Sequence, residues 1–342
     1  MYLHCGNSHC MLCQAYKRME WQSRLSSRLL NVPYVHMTFT LPKALRGLAR
    51  RNEKQVYSIL FKSAWQCVDK IGKELGAELG TISVLHTWGS DLKYHPHVHC
   101  LVTFGGLDTN NNWVWPKSKR RLIRYQRINK YYKDSFLANL KLGFAKGELI
   151  SHKDYEELAL ELESKNWVVN NDWPSQNTEI IETYLAKYIN RSAVSKKRIQ
   201  YNSQTGEVLL SHKDYKNQEQ GKPAPYKTRR MSALIAIHQI VKHKLPPYFH
   251  RVRYYGIHHP VKEKKIKQKL AGQLLRNKDS IQILFSLLTK MLNQLNKSRN
   301  KVCEECGSTS FDKEKIAGDA SWIYKNIVGY GLNKSPPTSK MK

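Results

Sequence analysis

Leu85-His86-Thr87-Trp88-Gly89 and, after a short polar loop, His95-Pro96-His97-Val98-His99-Cys100-Leu101-Val102 decide how this chain is read. Thr81 to Thr87 and His97 to Phe104 are strand-like runs, and the loop between them holds Gly89, Ser90 and Asp91, so the stretch predicts a β-hairpin. Residues two apart in a strand share a face at a spacing of roughly 6 to 7 Å. His97 and His99 therefore project together, with Val98 on the opposite side. Ten residues separate His86 from His97. One register sets His86 opposite His99 and a two-residue shift sets it opposite His97; directly paired residues share a face, so either register supplies a third imidazole.

Among fourteen histidines a single His-x-His pair is expected by chance. His86 at a fixed offset from that pair is not, and the triple points to a bound metal more than to surface histidines on a half-exposed strand. Neutral imidazoles suit zinc, manganese or iron, and all-histidine centres serve as Lewis acids with open coordination positions. His95 has the same parity and is an alternative ligand, although Pro96 makes it the better candidate for a strand edge.

Working outward, Tyr34 to Leu41 is rich in β-branched and aromatic residues and ends at Pro42, which reads as a strand. From Glu53 to Leu75 the residues Val56, Ile59, Leu60, Trp65, Val68 and Ile71 recur at helical spacing, with Gly76 and Gly80 at the exit. A mixed helical stretch runs to about Lys165, and Trp167 to Trp173 reads as a further strand. Glu179 to Arg191 predicts a helix capped by Thr178. Lys197 to Tyr201 and Glu207 to Ser211 flank a turn at Thr205-Gly206, a second hairpin, and a helix follows around Ser232 to Lys242.

The formal charge is +30, from 57 Lys and Arg against 27 Asp and Glu, and it is spread along the chain, a surface that attracts polyanions. At 342 residues the chain can bury a large core and is not a disulfide-held miniprotein. Seven cysteines include the close sets Cys10/Cys13, with Cys5 nearby, and Cys303/Cys306, a pattern suited to thiols on zinc. Cys67 falls in the helical pattern as a small buried hydrophobe. No apolar run approaches the roughly 18 residues needed to span a bilayer, so the expectation is a cytoplasmic protein.

Tyr184 and Tyr188 are four residues apart, about 6 Å along a helix and on one face. Both phenols could address one site in turn, or simply pack their rings against a sheet. A phenol of pKa about 10 is roughly one part in a thousand ionised at neutral pH, so as a nucleophile it needs an activated electrophile or a neighbouring cation. Lys187 and Arg191 lie on or beside the same face and could supply that charge, or be ordinary solvated cations. Metal, phenol and basic surface together make a phosphoryl-transfer apparatus. Two stretches mix cations with aromatics as a single-strand binder does: Lys117 to Lys133, equally a solvated helix face, and Tyr248 to Tyr255, with Arg251 and Arg253.

These stretches, with Trp167-Val168-Val169 and Tyr184-Leu185-Ala186-Lys187-Tyr188-Ile189-Asn190-Arg191, resemble the two-tyrosine rolling-circle transposases of the insertion sequence 91 family. That family is part of the HUH endonucleases, with replication initiators and conjugative relaxases, and the resemblance spans about Tyr2 to Pro260. It implies an α+β fold, a central antiparallel sheet of the RRM-like kind flanked by helices, with the histidines on central strands. It implies that His97 and His99, with His86 by a looser match, bind a divalent cation, magnesium or manganese, and that Tyr184 and Tyr188 are the paired nucleophiles. The implied partner is single-stranded DNA at transposon ends, cut to a 5′-phosphotyrosine and a free 3′-hydroxyl in a prokaryotic cytoplasm at the nucleoid. Rejoining then needs no ATP, because the phosphotyrosine keeps the bond energy.

Family members usually begin with a longer zinc domain, in which a cysteine pair precedes the spacing seen here as Cys5, Cys10 and Cys13. The chain starts just inside it, as a truncated or decaying copy would. Cys5, Cys10 and Cys13 with His4 or His9 could complete a zinc site or be its remnant. Cys303-Glu304-Glu305-Cys306-Gly307 is half a zinc ribbon or a metal-free turn. The expected division is a partial zinc-binding segment at 1–20, a catalytic domain at 32–260 and a basic helical region at 261–342. A replication initiator or relaxase-like nickase would use the same site but normally goes with a helicase module or a plasmid context, and no Gly-x4-Gly-Lys-Ser/Thr loop is present. A DNA-binding remnant without catalysis is the alternative of another class.

Overall fold

Along Tyr34–Thr40 (β1) the residues Val35, Met37 and Phe39 are buried in one large apolar cluster, while His36, Thr38 and Thr40 alternate with them on the other face. That alternation sets the architecture, because every strand paired with β1 must match its parity. The computed structural model describes residues 28–30, 32–165, 167–172, 193, 198–219, 222–262, 266 and 268. The chain divides into two units, Gln14–Lys264 and a second made of Met1–Cys13 with Lys265–Lys342. The elements below all belong to the first.

After β1 come the helices Arg46–Arg51 (α1) and Glu53–Leu75 (α2), then the strands Gly80–Trp88 (β2), Tyr94–Thr103 (β3), Gly106–Leu107 (β4) and Trp113–Val114 (β5). Two helices follow, Tyr125–Ala145 (α3) and Tyr155–Glu163 (α4), and then the strand Val169–Asn171 (β6). The remaining elements are Ile199–Asn202 (β7), Glu207–Lys213 (β8), Tyr226–Ser232 (β9), the helix Ala233–Val241 (α5) and Val252–Gly256 (β10). The fold is α+β. Its main sheet has five strands in the order β10-β2-β3-β1-β6, and the pairings are all antiparallel. A second sheet has the order β7-β8-β9.

The long helix α2 matches the span expected from its periodicity, burying Val56, Tyr57, Leu60, Phe61, Ala64, Cys67, Val68 and Ile71. Each such side chain removed from water contributes on the order of 1.5 to 3 kcal/mol before ordering entropy is subtracted. The helix stops at Gly76, whose φ of 71° is the left-handed cap conformation that glycine adopts without strain, and the Ala77 amide reaches back to the Gly72 carbonyl at 2.9 Å. Helix α3 lies beside it, and Tyr132, Phe136 and Leu140 complete the cluster with Val98, Cys100 and Val102 of β3. One face of the main sheet is thus sealed by helices. The other is apolar only at one end, where Tyr34, Ile82, Val84 and Leu101 cluster, and carries the histidines at the other.

Three details differ from the sequence reading. Of the strand expected at Trp167 to Trp173, Val169–Asn171 forms β6 while Trp167 is turned into the core with its indole donating to the Leu162 carbonyl at 3.0 Å, and Trp173 lies outside the described residues. The second hairpin gains a third strand, β9, because Tyr226–Ser232 pairs with β8 from Glu207↔Ser232 to Lys213↔Tyr226. Pro96 sits in a central strand, not at an edge. It is tolerated where the β2–β3 register shifts between His86 and Trp88, and its carbonyl accepts from the Leu41 amide at 3.0 Å.

Candidate active site

Of the two registers open to the hairpin, the structure takes the one that pairs His86 directly with His97, with Val84 opposite His99. The turn is closed by Gly89 donating to Lys93 O at 2.9 Å, and Leu92 occupies its left-handed position with φ 63°. Three imidazoles follow from this pairing: ring nitrogens of His86, His97 and His99 lie within 4.8 Å of one another, and all three residues are buried or nearly so. His95 is not among them. Its Nδ1 accepts from the Arg46 guanidinium at 2.5 Å, and burial, then the Arg46 charge, push its pKa below the usual histidine value.

Second contacts orient the rings. His97 Nδ1 donates to the His95 carbonyl at 2.6 Å, which leaves Nε2 as the acceptor nitrogen. Asp172 Oδ2 accepts from His36 Nδ1 at 2.8 Å, and His36 Nε2 in turn lies 2.9 Å from His99 Nδ1, with Thr38 Oγ1 at 3.2 Å from the same atom. In neutral rings this relay makes His99 Nδ1 the donor and His99 Nε2 an acceptor facing His97 Nε2 at 3.1 Å. Two acceptor nitrogens at that distance suit a cation between them. A carboxylate or carbonyl on the distal nitrogen is also how metal-bound histidines are held and made more basic. The donor set therefore fits a divalent metal. His86 is steadied differently, its ring stacked on Trp88 at 4.8 Å and 17°.

His36 and Asp172 were not singled out from sequence. A signal for His36 was present in the strand pattern, since it shares the face of Thr38 and Thr40 on a strand whose other face is apolar; Asp172 had none.

The histidines open into a cleft of about 820 Å³ lined also by Asn170, Arg198, Lys213, Tyr215 and Tyr226. Arg251 and Arg253, expected as DNA contacts, are both engaged within the fold. Arg251 donates to the Leu85 carbonyl at 3.1 Å and lies 5.0 Å over the Trp88 ring, and burial lowers its pKa to about 10. Arg253 pairs with Ser83 and lies over Phe61 and Phe249, on the helix-covered face of the sheet away from the histidines. Tyr184, Tyr188, Lys187, Arg191 and the cysteines Cys5, Cys10, Cys13, Cys303 and Cys306 lie outside the described residues.

Comparison with known proteins now bears on the histidine face. Residues 80–265 match the family model described as "Putative transposase", and residues 1–41 match a transposase zinc-binding domain of insertion sequence 91 type. The chain belongs to the insertion sequence 91 family of transposases. A protein described as a putative transposase of Sinorhizobium fredii is 31% identical over 278 residues, covering 77% of this chain and 68% of that protein. The transposase for insertion sequence element IS801 of Pseudomonas savastanoi pv. phaseolicola is 24% identical over 258 residues, 74% of this chain and 61% of that protein. The matches span about two thirds of the length of these relatives. The stretch matched to the transposase model begins at the first residue of β2 and so contains the whole histidine hairpin. Among the described residues no helix of this family member is long and apolar enough to cross a membrane.

Proposed function

We propose that this transposase-family chain nicks and rejoins single-stranded DNA at element ends by tyrosine transesterification assisted by a divalent cation. The observation that carries the reading is the convergence of His86, His97 and His99 on one face of a hairpin, with the outer nitrogens of His97 and His99 already engaged. These three side chains would hold magnesium or manganese, which as a Lewis acid supplies polarisation of a non-bridging oxygen on the scissile phosphate. The hydroxyl of Tyr184 or Tyr188 attacks phosphorus, the bond to the 3′ oxygen breaks, and the products are a 5′-phosphotyrosine and a free 3′-hydroxyl. The proton leaves the phenol and the departing oxygen gains one, so the exchange is balanced and reversible without ATP. Lys187 and Arg191 favour the phenolate by their charge. The second tyrosine permits a second strand transfer before the first is resolved.

The matched zinc-binding segment is assigned a structural role, with Cys5, Cys10 and Cys13 as thiolate ligands and Cys303 and Cys306 as further candidates. The division proposed is a zinc-binding segment at 1–20, a catalytic domain at 32–260 and a basic region at 261–342.

The test is a labelled single-stranded element end incubated with the protein and magnesium or manganese, then run on a denaturing gel. A covalent adduct is expected, lost on chelation and in the double change Tyr184→Phe, Tyr188→Phe. No adduct with any end sequence, from folded protein, would leave a DNA-binding module. Cleavage surviving His97→Ala would overturn the assignment of the metal.

A further inference from the structure

We propose that the outer face of the second sheet, with the turn that follows β8, is a platform for single-stranded DNA, with Tyr226 of β9 and Tyr215 of that turn stacking bases and Lys213 contacting a phosphate beside the histidines. This rests on the function proposed above and adds residues that hold the strand.

The sheet has two unlike faces. Val208, Leu210 and Met231 pack with Trp88, Leu92 and Ala236, which uses up one face in the fold. By strand alternation Ser211, Lys213, Tyr226, Thr228 and Arg230 occupy the other, and Lys213 is the direct partner of Tyr226. Tyr226 is 66% exposed and Tyr215 is 63% exposed, yet both line the cleft that contains His86, His97 and His99. Large aromatic rings left open beside cations in a cleft are the composition of a surface that stacks bases and tracks a backbone.

The platform is fixed to the hairpin. Arg198 donates through Nε to the Ser211 carbonyl at 2.9 Å and through its terminal nitrogen to the Ser90 carbonyl, and Ser90 Oγ donates to the Lys213 carbonyl at 3.3 Å. A base on Tyr226 is thereby held at a set distance from the imidazoles. Beyond Thr40, His95 and Asn170 the groove runs on into a second cleft of about 730 Å³ lined by Lys43, Arg46 and Lys165, which gives the strand a basic exit. A duplex hides its base faces, so stacking selects the unpaired strand.

The test measures binding apart from cleavage, using the full chain with Tyr184→Phe and Tyr188→Phe in chelator and a fluorescent single-stranded oligonucleotide followed by anisotropy. Tyr226→Ala is expected to weaken binding about tenfold, the order of one stacked base, with Tyr226→Phe within about twofold of the parent. Lys213→Gln is expected to reduce the slope of log affinity against log salt by about 0.7. Affinity for the matching duplex should not respond to Tyr226→Ala. An oligonucleotide carrying 5-iodouracil should photo-crosslink to peptides containing Tyr215 or Tyr226. The proposal is overturned if Tyr226→Ala and Tyr215→Ala leave single-strand affinity unchanged, if single strand and duplex lose equally, or if every crosslink maps elsewhere. An adduct-forming protein whose affinity ignores Tyr226 would refute the platform alone. Tyr226-dependent binding without any adduct would refute the transesterification alone.

Discussion

The two faces of the main sheet are built from the same strands and follow opposite rules. On the helix-covered face Val35, Met37, Phe39, Val98, Cys100 and Val102 meet α2 and α3, and close packing there decides whether the sheet exists. On the other face His36, His86, His97 and His99 occupy the interleaved positions, and their value lies in orientation. The lesson is one of separability: in β1 and β3 a step of one residue passes from stability to chemistry, so the two can be damaged independently.

The sharpest break in that separation is Phe39→Ala. Phe39 is fully buried with its ring 5.0 Å from that of Tyr132, and truncation is expected to cost about 3 to 5 kcal/mol in chemical denaturation. His97→Ala, one face over, should leave the denaturation midpoint nearly unchanged while abolishing the adduct.

Asp172→Asn comes next. It removes the carboxylate that accepts from His36 and is expected to weaken metal affinity about 10- to 100-fold, read by isothermal titration with manganese, without changing the melting temperature. Unaltered manganese affinity would mean that the relay does not reach His99.

Alkali then sharpens the contrast from the packed side. Burial pushes the Cys100 thiol from its ordinary value near 9 up to about 12 and raises Cys67 and Tyr132 as well. The folded state therefore favours the neutral thiol. Its contribution is complete below about pH 9 and is lost progressively as pH rises from there toward the folded pKa of about 12. Urea titrations between pH 7 and 10.5 should show this decline, and both thiols should resist alkylation at neutral pH until the protein unfolds.

The smallest effect belongs to neither face. Ser232 caps α5 by accepting from the Ile235 amide, and Ser232→Ala should cost about 1 kcal/mol in the same urea assay, with adduct formation intact.

What could be read in advance follows the same division. Helix α2 and the histidine hairpin were legible because apolar period and strand parity are local, and the geometry of His86, His97 and His99 needed only the choice between two registers. Strand β9 escaped because Tyr226–Ser232 leaves most of its residues exposed and so lacks an apolar alternation. In the Tyr248 to Tyr255 stretch cations and rings are the visible content, and their packing partners are not. Its Arg253 guanidinium lies over Phe61, a contact across distant sequence that no spacing announces. His36 and Asp172 are 136 residues apart, and only the order β3-β1-β6 brings them together.

The strand order also has a consequence for synthesis. Strands β1, β2 and β3, made first, form the middle of the sheet, while β6 and β10, made later, are added at opposite edges. Emerging from the ribosome, the chain can bring His86, His97 and His99 together once Thr103 is out, but Asp172 and the Tyr215/Tyr226 surface arrive only afterwards. The sheet grows outward in the order of translation, and the half-made protein has its imidazoles long before it has their brace.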